Sequence, residues 1–295
     1  MTTTLSDLTL RRDGLNLSAR RHGDADAPPI LLVHGFPDTP HSFASLTAQL
    51  VAAGFQVLTP WLRGYTVGSY DRAARYDIGA AAADLAAWHE HLGFGPAHLV
   101  GHDWGAIAAM YLAKTDSARW RSLSLLAIPP IGGSGGARAA LPYLARQTVM
   151  SAYMGLMQSA AAPALLARSD AALVRAIWSR WSPGMAVTDA LFEPVRAVFT
   201  DRRLAWAATR YYRAAFAANR AETREFYRVL TGPAADLPTL ALAGADDGCV
   251  HPSLQRAMAR ELGVESAHVP GAGHFLHAER PGAVAELLLT HLRAH

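Results

Sequence analysis

Apolar and polar positions divide the 295-residue chain into three stretches. In the first, "LTLRRDGLNLSARR" alternates apolar and polar residues around Asp13-Gly14, the pattern of a β-hairpin. "PPILLVHGFPDTP" is an apolar run ending in a Gly/Pro loop, as expected of a buried parallel strand. "HSFASLTAQLVAAGF" has helical spacing, "QVLTPWLRGY" reads as strand and loop, and "YDIGAAAADLAAWHEHLGF" as an alanine-rich helix. "AHLVGHDWG" follows as a strand, with a helix expected from about Ala106 to Lys114, and "RSLSLLAIPPIGG" is another strand and loop. Alternation at this spacing predicts a mostly parallel sheet. From about Ile131 to Gly232 the pattern changes to long helical stretches rich in Ala, Arg, Trp and Tyr. It then resumes with "LPTLALAGADDG", "HPSLQRAMARELG", "ESAHVPGAGHF" and a last helix, "GAVAELLLTHLRAH". The expectation is an α/β core in two parts, 1–131 and 233–295, with a helical cap inserted at 132–232. "IGGSGG" at the first junction lacks the Gly-Lys-Ser/Thr of a phosphate loop and reads as a flexible connector.

Composition narrows the function classes. Hydrophobic residues make up 51% and charged residues 17%, enough for a sizeable core and too few charges for a disordered chain. The net charge is only +3, and the basic residues, all arginine except Lys114, form no run. Nucleic-acid binding is therefore not expected. Cys249 is the sole cysteine, so neither an intrachain disulfide nor a cysteine-rich metal site is possible. "MTTTLSDLTLRRDG" has no apolar signal region, and no stretch of about 18 apolar residues marks a membrane span. A cytoplasmic protein without cofactor or metal, acting on a small molecule, is the expectation; the oligomeric state is open.

The chemistry centres on Gly101-His102-Asp103-Trp104-Gly105, where strand passes sharply into helix. Small residues flanking such a turn thrust the central side chain upward, and the helix N-terminus beneath favours a negative charge. Asp103 is thus a candidate nucleophile, though an aspartate there is also a good helix cap. A nucleophile elbow needs an acid and then a histidine later in the chain. "LALAGADDGCV" offers Asp246 and Asp247, and "VPGAGHFLHAERP" offers His274, each in a loop after a strand. Such loops converge on one crevice of a parallel sheet.

Through "HGFPDTPHSF", "PWLRGY", "GHDWG", "GADDGCV" and "GHFLHAERP" the chain resembles the α/β-hydrolase superfamily, and specifically its epoxide hydrolases. The resemblance implies Asp247 as the orienting acid, since it stands three residues after the glycine, and His274 as the base. It implies an oxyanion hole from the backbone N–H groups of Phe36 and Trp104, with Phe36, Trp104 and Pro37 in the substrate pocket. His34 and His102 take structural roles, and His277 reads as wall or surface, with a minor alternative as the base. Two cap tyrosines would hold the epoxide oxygen: Tyr153, five residues before Gln158, and Tyr212, directly before Arg213, with Tyr211 as its competitor. Trp178, Trp181 and Trp206 read as cap core.

A carboxylate suits this elbow because it is already ionised at neutral pH and attacks a saturated carbon directly. The resulting ester on Asp103 is then open to water activated by His274. The implied reaction turns a small apolar epoxide and water into a diol. A haloalkane dehalogenase shares the aspartate elbow, but Phe36 stands where that family commonly has a halide-binding Asn. A fluoroacetate-type enzyme would carry arginine at the position of Trp104. A non-catalytic ligand-binding member of the fold is the remaining alternative.

Overall fold

The computed structural model describes residues 5–295; the first four residues of the N-terminal stretch read above lie outside the described residues. β1 (Leu5–Arg12) and β2 (Leu15–His22) form the expected hairpin. Asp13 and Gly14 both take positive φ, 51° and 78°, as a two-residue hairpin turn of this twist requires. The remaining strands are β3 (Pro29–Val33), β4 (Gln56–Pro60), β5 (Ala97–His102), β6 (Trp120–Leu126), β7 (Thr239–Gly244) and β8 (Glu265–Val269). The sheet order is β1-β2-β4-β3-β5-β6-β7-β8, antiparallel as far as β4 and parallel from β4 to β8. β4 and β5 lie on opposite sides of β3, so the strand order reverses there. A crevice opens at the carboxyl ends of strands at such a point.

β4 and β5 are buried along their whole length, although they carry Gln56, Thr59, His98 and His102 among their apolar residues; β3, Pro29–Val33, is the continuous apolar run. Alternate residues feed two cores. Leu31, Val33 and Leu99 pack under Leu85 and Trp88 of the helix Ile78–His91 and Ala109 of the helix Trp104–Thr115. Ile30, Leu32 and Val100 pack under Leu46 and Leu50 of the helix Ala44–Ala52 and Leu288 of the helix Pro281–Ala294. The helix after the elbow begins at Trp104, two residues earlier than the spacing indicates.

Between β6 and β7 the described elements are all helical, from Gly133–Ala140 to Ala221–Leu230. The glycine-rich junction is a correction: it enters the helix Gly133–Ala140 instead of staying a connector. The alanines after it are strong helix formers, and the helix packs against Pro252–Glu261, where a Cβ on Gly136 would meet Met258 at an ordinary contact distance of 3.6 Å. No helix among the described residues is long and apolar enough to cross a membrane.

Candidate active site

Asp103 stands at the end of β5 with φ 50° and ψ −121°, a strained backbone for a residue with a Cβ. Its neighbours are packed to the limit. A Cβ on Gly105 would come within 2.3 Å of the Val33 carbonyl oxygen, and one on Gly35 within 2.5 Å of Asp103 itself. Glycine at 35 lets the loop after β3 reach over the carboxylate, where the Phe36 N–H donates to Asp103 Oδ1 at 2.7 Å. The Trp104 N–H, in the first helical turn, has no intrahelical acceptor.

Asp247 and His274 come from the loops after β7 and β8. His274 Nδ1 lies 3.0 Å from Asp247 Oδ2, and His274 Nε2 faces Asp103 Oδ2 at 3.7 Å, too long for a hydrogen bond. Asp247 Oδ1 accepts from the backbone N–H groups of Cys249 and Val250, at 2.7 and 2.9 Å. Asp246 is exposed and points away. Burial opposes charge on His274, but the Asp247 and Asp103 carboxylates more than offset it and lift its pKa to about 10. Burial likewise works against the Asp103 carboxylate, yet His274 and the Phe36 amide hold its pKa below the ordinary value. The resting site is a carboxylate facing an imidazolium.

The cap closes over this pair. Tyr212 is 1% exposed, and its ring meets Phe36 edge-on at 5.1 Å and Trp104 at 5.0 Å. Tyr153 lies against Tyr212 and Trp181, at 5.8 and 4.8 Å between centroids, with its hydroxyl 3.7 Å from Cys249 Sγ. Burial, then nearby Asp103, raises the Tyr212 pKa well above its usual value, and burial does the same for Tyr153, so both phenols keep their protons at neutral pH. The Tyr211 hydroxyl instead donates to the Arg63 carbonyl, 3.0 Å away. The Tyr212 hydroxyl, the Trp104 indole N–H and His274 Nε2 are buried without hydrogen-bond partners. Buried polar atoms ordinarily find partners, so three orphans around one carboxylate mark a place for a polar ligand.

Trp181 is core, 1% exposed, and its ring also stands edge-on to His274 at 5.0 Å. Its carbonyl accepts the N–H groups of Gly248 and His274, both at 3.0 Å. Ser182 Oγ accepts from Phe275 N and donates to Glu279 Oε1, which also accepts the Gly273 N–H. The sequence reading missed this stitch; its only trace was the glycines, since a Cβ at 248 or 273 would strike the backbone of Arg180 or Ser182. Trp178 is core, stacked 4.1 Å from Phe275 with its indole N–H on the Pro37 carbonyl, so Pro37 lies buried beneath it. Trp206 lies elsewhere, against Tyr70 and Tyr76.

Below the site, His34 donates to the Gly35 carbonyl and accepts the Leu62 N–H, so it holds the loop. His102 Nε2 donates to the His274 carbonyl at 3.0 Å. His277 is not at the surface: it is fully buried, with Nε2 3.0 Å from Ser42 Oγ and 3.4 Å from Asp38 Oδ2. Asp38, His102 and His277 are the one group among the described residues with metal-ligand spacing. Ser42 donates to Asp38 and accepts from His277 Nε2, which links those two residues; His102 Nδ1 stands 3.8 Å from Asp38 Oδ2 without a hydrogen bond.

A family model for the alpha/beta hydrolase fold matches residues 28–281. The chain belongs to the alpha/beta hydrolase fold family. Within that family its similarities run to epoxide hydrolases. It is 33% identical over 120 residues to epoxide hydrolase A of Mycobacterium tuberculosis, a match covering 40% of this chain and 37% of that enzyme. It is 26% identical over 293 residues to the AB hydrolase superfamily protein YfhM of Bacillus subtilis, covering 95% and 96% of the two. The crystal structure of epoxide hydrolase A from Mycobacterium thermoresistibile superposes with a TM-score of 0.79 at 25% identity, covering 98% of each chain. The alpha/beta hydrolase fold thus accounts for the sheet and the elbow.

Proposed function

We propose that this α/β hydrolase opens epoxides to vicinal diols through an ester on Asp103. The observation that carries the reading is the pair Tyr153 and Tyr212, protonated phenols on the cap, placed across from an ionised carboxylate. Asp103 Oδ1 is tied to the Phe36 amide, so Oδ2 attacks an epoxide carbon. The C–O bond of the ring breaks, and the alkoxide takes a proton or strong hydrogen bonds from the tyrosines. Hydrogen bonds that strengthen as charge builds on the oxygen lower the barrier. Esterification then removes the Asp103 charge, one of the two supports of the His274 imidazolium. The His274 pKa falls, and its proton makes good the one the tyrosines gave to the alkoxide. The neutral ring then takes a proton from water, with Asp247 steadying the imidazolium that forms. Water attacks the ester carbonyl, whose oxyanion lies at the N–H groups of Phe36 and Trp104. The intermediate breaks its bond to the diol oxygen, which takes the proton from His274, and the Asp103 acid returns a proton to His274 as the carboxylate is restored. Residues 132–232 serve as the cap that brings the phenols to the core.

The free Trp104 indole N–H favours a haloalkane dehalogenase as the second reading, because it would stabilise a leaving halide. The Trp178 indole, already spent on Pro37, offers no second donor. The deciding experiment uses His274→Gln, which cannot activate water. Soaked with styrene oxide, the folded variant should gain the mass of one epoxide, on the peptide that contains Asp103. A bromoalkane should add its alkyl group far more slowly. A variant that binds the oxide yet gains no mass at any time excludes the ester route, and faster bromoalkane alkylation favours the dehalogenase.

A further inference from the structure

A second cavity of about 320 Å³ lies between the loop before the helix Ile78–His91 and the cap helices Arg202–Phe216 and Ala221–Leu230. That volume is within the range of small-molecule sites. Its lining holds four guanidinium groups against two carboxylates. Most of its polar side chains are already engaged. The hydroxyl of Tyr76 is bonded to the backbone of Asp71, Tyr211 to Arg63 and Thr223 to Ala214, and Arg75 pairs with Asp77. Arg72, Arg210 and Arg220 form no side-chain hydrogen bond or ion pair among the described residues; Glu222 is the one unengaged carboxylate beside them. Two of these cations flank one indole, with Arg210 Cζ 5.2 Å and Arg72 Cζ 5.8 Å from the Trp206 ring centre. Burial and the charges of Arg213 and Arg220 press on Arg210, so it lacks the counter-charge that would settle it. The deeper lining is apolar: Tyr211, Phe226, Ala214 and Ala215.

We infer that this cavity binds a small organic anion, a carboxylate or phosphate group carried on an apolar body. The head group would pair with the unengaged guanidinium groups of the lining, those beside Trp206 among them, since planar guanidinium groups match such oxygens in pairs. The body would lie over Tyr211 and Phe226. The site is separate from Asp103 and stands whether or not the epoxide reading holds.

Calorimetric titration of the intact protein with 4-phenylbutyrate, phenyl phosphate and neutral 4-phenylbutanol tests it. At least one anion should bind saturably, with the alcohol about tenfold weaker or worse, consistent with charge-assisted recognition. The tighter of the two anions names the head group. Arg210→Gln and Arg72→Gln, checked for fold by circular dichroism, should each weaken the anion about fivefold or more, since each removes one unengaged cation from the lining. Arg72 lies on a core loop and Arg210 on a cap helix, so a folding defect in one leaves the other informative. No saturation of either anion by about 10 mM, a concentration that still detects very weak sites, overturns the inference. So does alcohol binding equal to the anions, or undiminished anion binding by both variants.

Discussion

Tyr211 and Tyr212 are neighbours with opposite tasks. Successive side chains on a helix point about 100° apart, so one ring turns to the Arg63 carbonyl and the other to Phe36 and Trp104. Their roles separate in kinetics. Tyr212→Phe should slow single-turnover epoxide opening on the order of 10²-fold, as expected for loss of a general acid, and Tyr153→Phe/Tyr212→Phe together should nearly abolish it. Tyr211→Phe should leave opening near normal and lower stability by about 1 kcal/mol, the usual worth of one hydrogen bond. Rapid-quench measurement of the alkylated enzyme checks both, and kinetic damage from Tyr211→Phe with a normal Tyr212→Phe would reverse the assignment. The acid is tested in the same way. Asp247→Asn should impair hydrolysis of the ester more than its formation, because Asp247 supports the imidazolium. Asp246→Asn, on an exposed side chain, should do neither.

The elements are joined where side-chain type gives little sign of it. Lys114, the only lysine, ends the helix after the elbow and donates to the carbonyls of Ile131 and Leu230, each at 2.7 Å, and of Gly232 at 3.3 Å. One ammonium thus ties together the chain entering and the chain leaving the cap. Lys114→Met would strand those carbonyls, at about 1–3 kcal/mol for a buried group left without its partner. Amide exchange should quicken in 131–133 and 229–232 while β3 and β5 stay protected; unchanged exchange at both junctions would show that the lysine does not hold them. The core strands were readable from sequence because apolar residues dominate a strand buried on both faces, as in Pro29–Val33, even where a polar residue such as His98 is buried with a partner. The order nucleophile, acid, base was readable because each residue follows a strand. The stitch through Trp181 and Ser182 was not, since a backbone carbonyl accepts the same bonds whatever side chain it carries. Nor was the choice between Tyr211 and Tyr212, which depends on the rotation of a helix against a core that the sequence does not locate. "IGGSGG" misled for a related reason: tertiary packing against Pro252–Glu261 overrides the poor helix propensity of glycine.

Across the whole molecule, burying histidines sets the response to pH. Burial lowers the pKa of His34 and His98 to about 4 and of His277 to about 3, and takes His102 well below its ordinary value. The unfolded chain protonates these four rings below its own pKa of about 6.5, whereas the native protein does not until near 4. Between those values the unfolded state binds more protons, so stability falls as pH falls. Asp38 works the other way: burial raises it to about 6, and the native state takes up its proton first on acidification. The lowered histidines outnumber Asp38, so the unfolded state binds more protons, and each net proton costs about 1.4 kcal/mol per pH unit. His274 governs the alkaline side. With a native pKa of about 10, its contribution is complete below pH 6.5 and is lost as pH rises through 10, at only about 1.4 kcal/mol per unit. The stability curve should therefore peak near pH 6.5–7 and fall more steeply on the acid side. Since a domain holds only roughly 5–15 kcal/mol in all, acid should unfold the protein closer to the maximum than alkali does. Urea midpoints measured from pH 4.5 to 9 decide this. His98→Gln, at a ring that bonds Ser122 at 2.9 Å, stands edge-on to Phe55 and lies apart from the site, should flatten the acid limb by about one proton. An acid limb no steeper than the alkaline one, or one left unchanged by His98→Gln, would mean that the buried rings are already charged in the folded protein.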